Sequence, residues 1–215
     1  MTAVPRWPTV LFDLDGTLVN TLDAIVASYT HAWREVTGRA VTRAEILPWI
    51  GRTLADMFTE QAPGRAAELE RVYLDHNNAN LARTITRYPG IPELLTELVA
   101  AGARTGVVTS RRRRTAIPAM RIGGVPDQTV LACAMDDTRR HKPDPEPLLT
   151  GLAALDAGTT RAVYVGDAVV DLQAADAAGL AGIGVTWGAG SRTDLLAQPS
   201  IGVVDTVAEL RGLLL

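Results

Sequence analysis

A single cysteine, Cys133, stands among 215 residues, so no disulfide can form within the chain. That scarcity fits a reducing compartment. Long apolar runs are also missing: none reaches the roughly 20 residues that a helix needs to cross a bilayer. Neither sign of charge dominates. The net charge of −3 excludes the basic footprint of a nucleic-acid binder and gives no attraction to an anionic membrane. The opening stretch, Met1-Thr2-Ala3-Val4-Pro5-Arg6-Trp7-Pro8, has no apolar signal core. No internal repeat, low-complexity tract or zinc-spaced Cys/His cluster occurs. These absences set the expectation of a soluble, cytoplasmic chain with no nucleic-acid or membrane partner.

Against that background, one stretch stands out: Val10-Leu11-Phe12-Asp13-Leu14-Asp15-Gly16-Thr17-Leu18. A short apolar run with a β-branched and an aromatic residue reads as a buried strand, over residues 9–13. It runs straight into two carboxylates. Burying bare charges is costly, and two like charges cost more, so a divalent cation is the usual remedy. Gly16 allows a sharp turn where a ligand can approach.

From Leu18 to about Arg87 the apolar spacing turns helical, with Leu22, Ile25, Val26, Tyr29, Trp33 and Val36 on one face and Gly38 at its end. Further helices are expected near 53–61 and 66–82, and no strand pattern interrupts them. The block reads as an all-helical insert after the first strand. Tyr88-Pro89-Gly90 marks the return. Thereafter helices (91–101, 112–122, 143–155, 169–178, 193–196, 207–213) alternate with strands (104–108, 129–134, 162–165, 182–186, 201–204). Such alternation predicts an α/β fold, a doubly wound, Rossmann-like parallel sheet covered on both faces. The expected organisation is a core of residues 1–18 and 88–215 with a helical insert over 19–87.

In sheets of this kind ligands sit beyond the carboxyl ends of the strands. The distinctive polar residues all fall there: Asp13 and Asp15, Thr109 and Ser110, and Asp167 of Gly166-Asp167-Ala168-Val169-Val170-Asp171. Asp167 is expected to cap the next helix, with Asp171 one turn on and facing the same side. Carboxylates gathered at neighbouring strand ends make an oxygen-rich site for a hard cation, and Mg2+ fits best. Thr109 and Ser110, at a helix start, suit an anion. Lys142, before Pro143, could balance nucleophile and phosphate together.

Asp13-Leu14-Asp15-Gly16-Thr17, Thr109, Lys142-Pro143 and Gly166-Asp167-x-x-x-Asp171, in this order, resemble the four motifs of the haloacid dehalogenase superfamily. The helical insert resembles the cap of its phosphoglycolate phosphatase and β-phosphoglucomutase group. The resemblance implies that Asp13 attacks phosphorus to form an aspartyl-phosphate, and that Asp15 protonates the leaving oxygen and then activates water. Thr109 would bind a phosphoryl oxygen, helped by the Ser110 and Gly16 amides, with Thr17 beside them. Lys142 would orient Asp13. Mg2+ would be held by Asp13, the Asp15 main-chain carbonyl and Asp167, with Asp171 near. The implied partner is a small phosphorylated metabolite, and the chain would act as a monomer or homodimer. A sugar-phosphate mutase and a non-catalytic phosphate-ligand binder are the competing readings.

Two basic clusters, Arg111-Arg112-Arg113-Arg114 and Arg139-Arg140-His141-Lys142, follow strands on the same rim. They are expected to help draw in substrates carrying more than one anionic group. Arg52, beside Gly51 in the insert, is expected to touch substrate. His31, Trp33 and Trp49 read as packing within the insert, and Cys133 as inert core.

Overall fold

Strand β1 (Thr9–Phe12) is buried along its whole length, because it runs between two neighbours in the middle of a sheet. The computed structural model describes residues 5–215; Met1–Val4 of the opening stretch lie outside the described residues. After β1 the chain forms a two-residue strand β2 (Val19–Asn20) and then helices α1 (Leu22–Thr37), α2 (Arg43–Ile46), α3 (Leu54–Gln61) and α4 (Ala66–Thr84). It returns through strand β3 (Thr86–Arg87). The remainder alternates: α5 (Ile91–Ala100), β4 (Arg104–Val108), α6 (Arg113–Gly123), β5 (Val130–Cys133), α7 (Glu146–Ala154), β6 (Ala162–Gly166), α8 (Val169–Ala177), β7 (Ala181–Val185), α9 (Arg192–Leu196), β8 (Gly202–Val204) and α10 (Val207–Leu214).

The main sheet has six strands in the order β5-β4-β1-β6-β7-β8, and every pairing is parallel. Successive crossovers run outward from β1 to β4 and β5, then reverse to β6, β7 and β8. The reversal opens a crevice between β1 and β6, at their carboxyl ends, where a doubly wound sheet binds ligands. Both faces are packed. Val10, Phe12, Val107, Val163 and Val165 join α5, α6 and α10 on one side, and Leu11, Val108 and Tyr164 meet α7, through Leu148, and α8 on the other.

The helices between β2 and β3 have an apolar centre of their own. Tyr29 lies at its middle, with Tyr73 at 4.7 Å between ring centroids and Trp49 and Phe58 each at 5.5 Å in edge-on contact. Such pairs add to the free energy of burial. Trp33 and Trp49 are buried in this cluster, whereas His31 stacks on His76 at 4.5 Å.

The segment is not purely helical, as its apolar spacing suggested. β2 and β3 pair antiparallel, Val19 with Arg87 and Asn20 with Thr86, at the two ends of the segment. Two residues per strand are too few for an alternating pattern to register in sequence. A second correction concerns the helix after Lys142-Pro143: it begins only at Glu146, with Pro145 as its cap residue.

Candidate active site

The loop after β1 carries Asp13 and Asp15 over the ends of β4 and β6. Asp13 donates no strand residue to the sheet but is fixed by its amide, which bonds the Val165 carbonyl of β6 at 2.9 Å. Gly16, at φ +84°, turns the chain back. A Cβ there would come within 2.4 Å of an Asp167 carboxyl oxygen, so only glycine admits the close approach of the two strand ends. Gly188 serves Asp167 from the other side, where a Cβ would meet the same carboxyl at 2.2 Å.

Three carboxylates meet at the crevice: Asp13, Asp167 and Asp171 each bring an oxygen within 4.8 Å of the others. Lys142 is the cation among them. Its Nζ donates to Asp13 Oδ1 and to Asp171 Oδ1, both at 2.7 Å, and to the Tyr164 hydroxyl at 3.0 Å. Tyr164 in turn donates to the Val108 carbonyl at 3.1 Å. All four charged groups are at most 3% exposed. Burial opposes the Lys142 charge, but Asp13 and Asp171 outweigh it and hold the ammonium well above its ordinary range. Asp13 is pushed well above the carboxylate range by burial, with Lys142 pulling the other way and Asp171 and Asp167 adding repulsion. Asp167 is pushed up to about 7 by burial and then by Asp171.

One ammonium cannot balance three carboxylates ionised together, and Asp13 and Asp167 are pushed up accordingly. That imbalance, with an all-oxygen donor set, fits a hard divalent cation. Asp167 is braced for such a role. It accepts from Thr17 Oγ1 at 2.7 Å and from the Ala189 amide at 2.7 Å. Asp167 is therefore not the helix cap the sequence suggested. Ala168 holds that position, and the Asp171 carboxylate reaches back to the Ala168 amide at 3.0 Å.

Asp15 faces a different cation. The Arg111 guanidinium grips both its oxygens, with Nη2 at 2.8 Å from Oδ1 and Nε at 3.0 Å from Oδ2. Burial pushes Asp15 up, but the charge and hydrogen bonds of Arg111 more than reverse that and hold it below the usual carboxylate range. Arg111 Nη1 reaches Asn77 Oδ1 of α4 at 3.4 Å.

The other expected site residues divide. Asp13, Asp15, Thr109, Ser110 and Arg52 line one cavity between the sheet rim and the helical segment. Within it the Thr109 hydroxyl accepts from the Arg111 amide at 3.1 Å. The Ser110 hydroxyl is committed to the Gly51 carbonyl at 2.7 Å, across the cavity. Arg52 is paired with Glu60 at 2.7 Å. Two expectations need correction. Thr17 turns to Asp167 rather than to the cavity, and the Gly16 amide donates to Val19 at 2.9 Å, so it is not aimed at an anion. The roles of Tyr164, Asn77 and Ala189 were not foreseen. Tyr164 alone left a trace: a phenol in a central, fully buried strand must find a polar partner.

Residues 10–185 match the family model of the haloacid dehalogenase-like hydrolases, and the chain belongs to that family. Among its relatives is a pyrophosphatase, PpaX, of Bacillus mycoides, 31% identical over 206 residues that make up 96% of each chain. Solved structures of the same fold include a haloacid dehalogenase-like hydrolase from Bacteroides fragilis, with a TM-score of 0.88, 26% identity and 95% and 99% of the two chains covered. A predicted phosphoglycolate phosphatase from Haemophilus somnus shares the fold at a TM-score of 0.81 and 24% identity, covering 95% and 96%. No described helix is long and apolar enough to cross a membrane.

Proposed function

We propose that this chain is a Mg2+-dependent phosphatase acting on a small phosphomonoester or on pyrophosphate through an aspartyl-phosphate on Asp13. The observation that carries the reading is the asymmetry at Asp13. Lys142 holds Oδ1 at 2.7 Å, while Oδ2 makes no hydrogen bond among the described residues and Asp13 lines the cavity. A carboxylate oriented through one oxygen keeps the other for attack. The names of the relatives, pyrophosphatase and phosphoglycolate phosphatase, point to the same class.

In the first half-reaction Asp13 Oδ2 forms a bond to phosphorus as the bridging P–O bond breaks. The bridging oxygen takes a proton from Asp15, which is ionised while Arg111 grips it and picks that proton up from solvent on turning toward the substrate. In the second, water attacks the phosphorus of the aspartyl-phosphate and gives its proton to Asp15. Inorganic phosphate leaves and Asp13 regains its carboxylate. Thr109 and the Ser110 amide bind phosphoryl oxygens, and Lys142 keeps Asp13 in line. Mg2+ would be held by Asp13, the Asp15 main-chain carbonyl and Asp167, with Asp171 beside them, and would offset the phosphoryl charge. Residues 19–87 serve as a cap whose closure excludes water, with Arg52 on the substrate side.

The test is phosphate release from a panel of phosphometabolites and pyrophosphate in the presence of Mg2+. Release is expected, along with a phosphate-mass adduct on the wild-type chain after rapid quench. Asp13→Asn should lose both, by at least about 10⁴-fold in turnover. Residual Mg2+-dependent hydrolysis by that variant would rule out Asp13 as nucleophile.

A further inference from the structure

Three arginines line the cavity, and each is paired with a carboxylate: Arg52 with Glu60, Arg112 with Glu70 and Arg111 with Asp15. The pairs differ in what their acids must do. Glu60 and Glu70 have no task in the reaction proposed above, so Arg52 and Arg112 can keep their partners throughout. Asp15 cannot stay where it is. Both its oxygens are held by Arg111, and one must reach the bridging oxygen of the substrate.

When Asp15 turns to the leaving group, Arg111 loses its only ion-pair partner among the described residues. Its side chain is 9% exposed, so the little water that reaches it from the cavity is a poor replacement for the lost carboxylate. Among the described residues its remaining side-chain hydrogen bond is a long one, 3.4 Å to Asn77. A buried cation stripped of its partner is strongly disfavoured, by more than a surface pair could ever return. A substrate relieves this if it brings an anion of its own to the same place. That place is set by geometry. Arg111 touches Asp15, and Asp15 touches the bridging oxygen, so the anion must sit on the leaving group, close to the bond that breaks.

We infer that Arg111 is a specificity-determining residue that exchanges the Asp15 carboxylate for an anionic group on the leaving side of the substrate. This rests on the phosphatase reading and narrows it. The substrate class is a phosphate ester or anhydride whose leaving group carries a carboxylate or phosphate within a few atoms of the bridging oxygen. A planar guanidinium that already makes a two-pronged grip on a carboxylate is suited to either anion. Esters of neutral alcohols leave Arg111 buried without a counter-charge whenever Asp15 acts, and they react more slowly for that reason.

The experiment compares kcat/KM for two matched substrates, phosphoglycolate and 2-hydroxyethyl phosphate, with pyrophosphate as a second anionic case. It uses the wild-type chain, Arg111→Lys and Arg111→Met, all with Mg2+. The wild type is expected to favour both anionic substrates over the neutral ester by about 100-fold or more, because a buried polar group left unpaired penalises the substrate that lacks its partner. In Arg111→Met that ratio should collapse by at least about 30-fold, whatever the absolute loss of rate, and Arg111→Lys should fall between. A purely structural role would lower all substrates together and leave the ratio intact. A wild type that hydrolyses the neutral ester equally well, or a ratio in Arg111→Met within about twofold of wild type, overturns the inference while leaving the phosphatase reading in place. No phosphate release from either anionic substrate, with release from another ester of the panel, overturns the inference alone; no release from any member of the panel overturns both.

Discussion

Two buried cations stand close in space to the proposed nucleophile, Asp13, and their surroundings are opposite in kind. Lys142 is held by two carboxylates and a tyrosine hydroxyl that is itself anchored to β4. Arg111 has one carboxylate and a long contact to a neighbouring helix. The first arrangement is over-determined and belongs to the scaffold. The second holds a group that the proposed chemistry needs elsewhere. Proximity to the reaction therefore does not sort the charges of this site; the number of independent partners does.

The sharpest way to break this contrast is to remove each cation in turn and measure stability. Lys142→Met leaves Asp13 and Asp171 facing each other without compensation. It is expected to cost about 3–5 kcal/mol, the range for stripping one partner from a buried pair. Arg111→Met is expected to cost less, about 1–3 kcal/mol, since Asp15 keeps some contact with solvent at 15% side-chain exposure. Urea unfolding of both variants checks the order. Equal losses, or a larger loss for Arg111, would show that Arg111 is as firmly built into the fold as Lys142.

A smaller effect is expected one contact further out, at Thr17. Its hydroxyl supplies one of the two hydrogen bonds that brace Asp167, the other coming from the Ala189 amide. Thr17→Val keeps the shape and loses the donor. Because Asp167 is fully buried, stability should fall by about 1.5–3 kcal/mol. Mg2+ affinity should fall by about 10- to 100-fold, as happens when a support behind a metal ligand is removed. The measurement is the rise in Tm on titrating Mg2+, which for a site occupied at 100 times Kd corresponds to about 2.7 kcal/mol. An unchanged Mg2+ midpoint in Thr17→Val would show that Asp167 needs no bracing or does not bind the ion.

How far the sequence carried this picture follows from the range of each signal. The strand-helix alternation after Gly90 was legible because each element is long enough for its period to show, and the carboxylates marked the strand ends because apolar runs lead directly into them. The partners were not legible. That Arg111 grips Asp15 joins positions 96 apart in sequence, and that Thr17 braces Asp167 joins positions 150 apart. Nothing local in either stretch records the pairing. Thr17 sits within a motif, which suggested substrate contact, but its rotamer is decided by Asp167 across the crevice. The β2–β3 pairing is hidden for the opposite reason: two residues per strand carry no period at all.

The two basic clusters show the same limit, and they supply the smallest expected effect. By sequence they are equivalent, each a run of cations after a strand. In the structure Arg111 is buried on Asp15 and Lys142 on Asp13, whereas Arg140 lies on the surface against Glu146 at 3.1 Å and Asp144 at 3.3 Å. Neither Arg139 nor Arg140 is among the residues lining the cavity. A paired, solvent-screened arginine outside the cavity adds little to the field a substrate meets. Arg140→Ala is therefore expected to leave kcat/KM within about twofold of wild type and its dependence on salt unaltered. A marked loss that grows at low ionic strength would restore this cluster to the role of steering anions, and would make Arg111 one of several cations that select charged substrates.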